Sequence, residues 1–236
     1  MKIEIWSDVM CPFCYIGKRN LESALENFDQ KDDLEIIWKS FQLDPNMPET
    51  PQGSQAEYLS KNKGLPIQQV EGMMANVTEY AKQIGLDFNL KDAVMVNSFR
   101  AHRFIQIAKE RGLGDEAEEL LFRAYFTEGK NIADEQILKE IATEIGLSEA
   151  DVQTALQDDH YAYQVKQDIQ QAQHLGVRGV PFFVFDNKYA ISGAQPVEQF
   201  SQTLDKAFSA WKSEAKPKFH VSEGDSCSVE NPRGCI

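Results

Sequence analysis

Cys11 and Cys14 stand three residues apart, with a proline directly behind the first, in the stretch WSDVMCPFCYIGKRN. Lys2 to Trp6 alternates just ahead of them: Ile3 and Ile5 fall on one side, Lys2, Glu4 and Trp6 on the other, which is the period of a strand. Pro12 suits a first helical position, where a missing N–H costs nothing. Leu21, Ala24, Leu25 and Phe28 then recur at helical spacing. A second strand is expected over Leu34 to Leu43, rich in Ile, Trp and Phe. The first 43 residues therefore read as a βαβ unit whose cysteine pair opens the helix.

Beyond the Pro-rich loop Asp44 to Gly53 the pattern is helical only, with an apolar stripe at Ile137, Leu138, Ile141, Ala142 and Ile145. HYAYQVKQDIQQAQHLG reads as a further helix ending at Gly176. Phe182 to Phe185 and Lys188 to Ser192, joined at Asp186-Asn187, form a β-hairpin, and Val197 to Lys212 a closing helix. The order is βαβ, a helical block, then αββα. One sheet built from both chain ends accounts for it: residues 1–53 and 156–212 as one domain, 54–155 as an inserted helical domain, and 213–236 as a polar tail.

Formal net charge is −13, which opposes nucleic-acid binding because phosphates need a basic face. The apolar runs are too short for a bilayer, so no membrane partner is expected. No charged-then-apolar leader precedes the first strand pattern, and the expected compartment is cytoplasmic. A reducing compartment disfavours structural disulfides, so paired cysteines there point to catalysis, redox sensing or metal.

In a first helical turn, positions i and i+3 are close enough for a disulfide. Cys11 would cap the helix, and the unpaired N–H groups and dipole there stabilise a thiolate. Such sites bring a Cys pKa from about 8.5 to about 3.5–7.5. Cys11, the outer sulfur, is then the nucleophile, and Cys14, deeper, resolves the mixed disulfide. Phe13 adds no charge to assist. Val180-Pro181 follows a glycine in RGVPFF. X–Pro is the realistic place for a cis bond, which would turn the Val180 backbone groups toward the thiols for a substrate strand to pair with; an ordinary trans edge proline is the other reading. Two alternatives to redox catalysis stand beside it: a pair of core cysteines, and a zinc site made of Cys11, Cys14, Cys227 and Cys235.

The pieces SDVMCPFCYIGKRNLE, FQLDPNMP, NSFRAHRF, AYFTEGKNI, GVRGVPFFVF and SGAQPVEQF span almost the whole chain. In them the chain resembles the DsbA-like thioredoxin-fold superfamily, specifically the FrnE-like dithiol–disulfide oxidoreductases. The resemblance implies an α/β fold, thioredoxin-like with an inserted all-helical domain, Cys11 and Cys14 as the active dithiol, and a cis Pro181. It implies an oxidoreductase or isomerase working on protein or peptide thiols and disulfides, with no cofactor or metal. Glutathione, or a thioredoxin-type reductant, would be its co-substrate. The related 2-hydroxychromene-2-carboxylate isomerases and kappa-class glutathione transferases are similar in architecture but use a serine with bound glutathione. Here Cys11 stands at that position with Cys14 as partner, which favours dithiol exchange. A glutathione-dependent transferase or isomerase on a small aromatic substrate remains the second reading, and a zinc-bound or chaperone-like binding protein the third.

Substrate contact is expected from Val180, Pro181 and Phe13. Phe13, Tyr15 and Phe182 fit either an apolar substrate groove or the core. His102 and Arg103 are expected on the solvated face of a lid helix, and Lys18 and Arg19 on a neutral surface. In the tail, Cys227 and Cys235 flank Asn231-Pro232-Arg233-Gly234, whose Pro and Gly suit a type I turn that brings the sulfurs together. They form either a local staple or a second redox pair that exchanges with Cys11 and Cys14. Paired-cysteine tails also occur in FrnE-like relatives.

Overall fold

The computed structural model describes residues 1–214. The tail with Cys227 and Cys235 lies outside the described residues. Strand β1 (Lys2–Ser7) leads into α1 (Pro12–Glu26), and β2 (Glu35–Ser40) returns parallel to β1, with Ile5 opposite Trp38. Seven helices follow: α2 (Gln55–Lys63), α3 (Ile67–Gln83), α4 (Phe99–Glu110), α5 (Gly114–Phe122), α6 (Glu135–Glu144), α7 (Glu149–Gln157) and α8 (Asp159–His174). The chain then re-enters the sheet as β3 (Phe182–Phe185) and β4 (Tyr189–Ser192) and closes with α9 (Val197–Glu214). Sheet order is β2-β1-β3-β4, with β3 antiparallel to both β1 and β4. The sheet thus joins the two ends of the chain across the helical insertion.

The alternation read in β1 decides the layers. Ile3 and Ile5 pack with Phe183 and Phe185 under α1 and α9, through Leu21, Ala24, Phe200 and Leu204. Trp6 and Val184 point to the opposite face and meet Ala172 of α8. The Trp6 indole donates to the Asp168 carbonyl of α8 at 2.9 Å, so its buried N–H is satisfied. Most remaining buried apolar side chains form a third cluster that joins the insertion to the cysteine helix through Val9, Cys11, Cys14, Tyr15 and Ile16.

Local signals fix several boundaries. Capping boxes open α2 (Ser54 with Glu57) and α7 (Ser148 with Asp151). Asp186 and Asn187 both take positive φ, 49° and 54°, and the Lys188 N–H donates to the Phe185 carbonyl at 3.0 Å, the mirror-image turn that suits a hairpin. A π-helical turn, Arg123–Thr127, extends α5. β2 is shorter than the expected Leu34 to Leu43. The Phe41 N–H still bonds Ser7, but the Leu43 N–H is taken by the Asp8 carboxylate at 2.8 Å, which draws the chain off the sheet.

Candidate active site

β1 ends at Ser7, and three residues turn the chain into α1. The Cys11 N–H donates to the Asp8 carbonyl at 2.8 Å, and the Cys14 N–H donates to the Cys11 carbonyl at 2.9 Å. Cys11 is the N-cap, with φ −93° and ψ 110°, and Pro12 follows in the first turn. Both thiols are free and buried, Cys11 at 4% exposure and Cys14 at 1%. Cys11 lines a cavity of about 490 Å³ between α1, α2, α3 and the loop after β2, whereas Cys14 lies behind it. Burial, and then the neighbouring Cys11, push the Cys14 thiol well above its usual range, with smaller opposing pulls from the Asp8 backbone and the Ser7 hydroxyl. At neutral pH Cys14 therefore holds its proton, while Cys11 faces the cavity.

The Val180-Pro181 bond is cis. The Cys11 Sγ lies 3.5 Å from the Val180 carbonyl oxygen, so the loop into β3 meets the thiol directly. The Pro181 carbonyl accepts the Gly193 N–H at 2.8 Å, which ties that loop to the end of β4.

The cavity wall is mainly apolar. Met10, Met47, Met73, Met74 and Met95 line it, five of the six methionines in the chain. Phe13, Leu43 and Met73 are exposed at 46%, 53% and 44%, and form an apolar rim. Methionine side chains are flexible and polarizable, and such a wall adapts to different apolar groups. Asp8, Asp44 and Lys63 are the charged residues that line it.

The three aromatics read together have separate fates. Phe13 stands at the cavity mouth. Tyr15 is core, stacked on Phe122 with centroids 4.8 Å apart and donating to Glu119 at 2.7 Å. Phe182 packs half-buried beside Trp6 and Val184.

Two surface expectations are corrected. His102 is not on a solvated face. It is fully buried, and its Nε2 lies 3.5 Å from the Asp8 Oδ1. Arg103 is half-buried and donates to the Ala155 and Asp158 carbonyls at 2.7 and 2.9 Å, fastening the end of α7. Lys18 is likewise not at a neutral surface. It is 3% exposed and pairs with Glu22, Asp115 and Glu119. Arg19 pairs with Glu22 and Glu119 and lies over the Tyr15 ring. These cations join α1 to α5 and are neutralised there, so they lend the thiols little field. Asp8, Glu118 and the methionine wall were not singled out from sequence. Only Asp8 had a local signal, its place three residues ahead of Cys11.

Among the described residues, no cluster of three or more His, Cys, Asp or Glu has metal-binding geometry, and no helix is long and apolar enough to cross a membrane. The zinc reading draws two of its four ligands, Cys227 and Cys235, from outside that range.

A dithiol at a helix N-terminus, set on a mixed sheet and faced by the loop into an antiparallel hairpin, defines a protein of the thioredoxin-fold class. The match to the DSBA-like thioredoxin domain family extends over residues 2–205, and the chain belongs to that family. The "probable DsbA oxidoreductase" of Streptomyces coelicolor is 33% identical, with 98% of this chain and 97% of that one covered at a TM-score of 0.85. The cytosolic disulfide reductase DsbM of Pseudomonas aeruginosa, solved with GSH, shares the fold at 18% identity, with 89% and 100% covered and a TM-score of 0.63. The uncharacterized protein YwbO of Bacillus subtilis (strain 168) is 28% identical over 205 residues, 86% of this chain and 94% of that protein.

Proposed function

We propose that this chain is a thiol–disulfide oxidoreductase that exchanges protein or peptide disulfides through Cys11 and Cys14. The observation that carries the reading is the placement of Cys11: its sulfur lines the cavity and faces the Val180 carbonyl, while Cys14 sits behind it. A substrate disulfide entering the cavity meets Cys11 first. Attack by its thiolate forms a Cys11–substrate disulfide and releases one substrate thiolate. Cys14, after losing its proton, attacks the Cys11 sulfur, closes the Cys11–Cys14 bond and releases the second substrate thiol. The reverse sequence oxidises a dithiol, so reduction, oxidation and isomerisation share these steps.

Val180 and Pro181 position an extended substrate segment, and Phe13 supports an apolar group beside the disulfide. Glutathione or a thioredoxin-type reductant resets the pair, a reading supported by the fold shared with a reductase solved with GSH. The proposed compartment is the cytoplasm, since that reductase is named cytosolic. The same dithiol argues against the serine-based isomerase and transferase chemistry.

The test is a peptide disulfide turnover assay with two variants. Cys11→Ser is expected to abolish turnover. Cys14→Ser is expected to accumulate a mixed disulfide with substrate, seen as an added mass on the Cys11 peptide. Accumulation in Cys11→Ser instead would reverse the roles.

A further inference from the structure

The nucleophile is nearly hidden. Cys11 is 4% exposed, the Val180 carbonyl stands 3.5 Å from its sulfur, and the space left beside it is the cavity of about 490 Å³. α2 and α3 cover that cavity with Leu59, Val70 and Met74, and the Tyr58 hydroxyl of α2 donates to Asp44 at 2.6 Å, which ties α2 to the loop after β2. A thiolate attacks a disulfide in line, with the leaving sulfur on the far side of the attacked one. Both halves of the substrate therefore need room in the cavity or at its mouth. A disulfide within a folded protein carries main chain on both sides of each sulfur and does not have that shape.

Resting on the dithiol reading, we infer that the substrate of Cys11 is a low-molecular-weight, uncharged, apolar disulfide that enters the cavity whole, and not a disulfide within a folded protein. Short neutral peptide disulfides belong to this class. The volume lies within the about 300–1,000 Å³ of small-molecule sites. The five methionines of the wall adapt to apolar shapes and make favourable contacts with aromatic rings. The charges oppose an anion. Two carboxylates, Asp8 and Asp44, line the cavity against one ammonium group, Lys63, and no arginine lines it among the described residues. The carboxylates are also engaged already: Asp8 accepts the Met10 and Leu43 N–H groups at 3.2 and 2.8 Å, and Asp44 accepts the Asn46 N–H at 3.0 Å besides Tyr58. Gln55 lines the cavity as well, is 6% exposed, and its Oε1 has no hydrogen-bond partner among the described residues. The wall thus offers thioethers and acceptors, and little that would hold the carboxylates of an anionic disulfide.

The reaction balances without a further reagent. The Cys11 sulfur bonds to one substrate sulfur as the substrate S–S bond breaks, and Cys14 then displaces that sulfur. One R–S–S–R takes two electrons and two protons from the dithiol and leaves as two R–SH, with Cys11 and Cys14 joined.

The experiment mixes the reduced full chain, in single turnover, with three disulfides: dithiodipyridine, which is uncharged; dithiobis(nitrobenzoate), an aryl disulfide of similar size with two carboxylates; and insulin, a folded protein. Formation of the Cys11–Cys14 bond is read by peptide mass after acid quenching. Each rate is divided by that disulfide's own rate with dithiothreitol, which removes intrinsic reactivity. After this division dithiodipyridine is expected to exceed dithiobis(nitrobenzoate) by at least about tenfold, as a local field of one sign produces. It is expected to exceed insulin by about a hundredfold, the cost of a disulfide held off line. Asp44→Asn should narrow the gap to the dianion several-fold although it changes a net charge of −13 by only one, which separates the cavity field from overall charge. Val77→Trp, which fills the cavity from α3, should slow dithiodipyridine by about tenfold or more, while alkylation of Cys11 by iodoacetamide, a reagent of a few atoms, stays near the parent rate. Insulin reacting as fast as dithiodipyridine would mean that α2 and α3 swing clear, and overturns the size limit. An equal rate for the dianion, or a gap unmoved by Asp44→Asn, overturns the charge requirement. An undiminished rate in Val77→Trp overturns binding in the cavity. If Val77→Trp does not fold, the parent's rates decide. A chain that alkylates at Cys11 yet forms no Cys11–Cys14 bond with any of the three refutes the dithiol reading, and the substrate class with it.

Discussion

Gly17 and Gly72 are both mid-helix glycines, and alanine is expected to move them in opposite directions. Replacing a mid-helix glycine by alanine stabilises by about 1 kcal/mol from propensity alone. At Gly72 of α3, an added Cβ meets nothing within 4 Å, so that gain should appear nearly in full. At Gly17 of α1, the Cβ would stand 3.0 Å from the Pro181 Cγ and 3.0 Å from the Phe183 Cζ. Carbon pairs prefer about 3.5–4.0 Å, so both neighbours must give by a few tenths of an ångström. Neither retreats freely. Phe183 is fully buried with its ring edge-on to Phe200 at 4.8 Å, and the Pro181 carbonyl holds the Gly193 N–H. Overpacking of this kind costs about 1–3 kcal/mol, which offsets the propensity gain and exceeds it over most of that range. Since the propensity gain is common to both sites, the two variants should differ by about 1–3 kcal/mol in urea unfolding. In thermal unfolding Gly72→Ala should rise by about 2–4 °C. Gly17→Ala should also lose peptide disulfide turnover, because relief of the clash separates α1 from the loop that holds Val180 at Cys11. Equal stabilisation at both sites would refute the close packing of α1 on Pro181 and Phe183.

Glu118→Gln tests the buried carboxyl. Burial pushes its folded pKa up to about 8 from the ordinary carboxyl value of 4.5, so the folded state binds the proton more tightly and stability falls as pH rises between those values. Glutamine should remove that slope, raising stability by roughly a few kcal/mol near pH 8 and leaving it almost unchanged below pH 4, as read by urea unfolding at both pH values. Lys18→Met leaves Glu22, Asp115 and Glu119 facing one another, and should cost about 1–3 kcal/mol at neutral pH, less than for a fully buried pair because the carboxylates are part-exposed. That penalty should shrink in acid as the carboxylates protonate. Phe13→Ala should change stability by no more than about 0.5 kcal/mol, since the ring is 46% exposed, yet raise KM for peptide disulfides with apolar flanks; an unchanged KM would remove Phe13 from the substrate site.

What the chain reveals before folding divides by range. The β1–Cys11–α1 unit, the mirror-image turn at Asp186-Asn187 and the helix before Gly176 rest on signals within a few residues, and all appear in the structure. The polar partners do not lie within reach of such signals. Lys18 looks exposed because its carboxylates Asp115 and Glu119 come from α5, about a hundred residues on. His102 sits among alternating polar and apolar residues of α4, and only the approach of Asp8 from the first turn shows that its face is internal. The shortened β2 has the same cause, since the group that ends it is the Asp8 side chain. The methionine wall is gathered from five separate positions between Met10 and Met95, and no local spacing brings them together.

That wall gives the protein a chemical lifetime set by its own surroundings. A thioether oxidised to sulfoxide becomes polar and chiral, and five such groups line the cavity beside Cys11. Peroxide that spares the thiols would still wet the cavity and weaken its hold on apolar groups. Met73, 44% exposed at the mouth, should be oxidised first, and Met95, 4% exposed and in contact with the Tyr125 hydroxyl, much later. A cysteine pair oxidised to a disulfide is restored by thiol exchange, whereas methionine sulfoxide in the wall is restored only by an enzyme that reduces it.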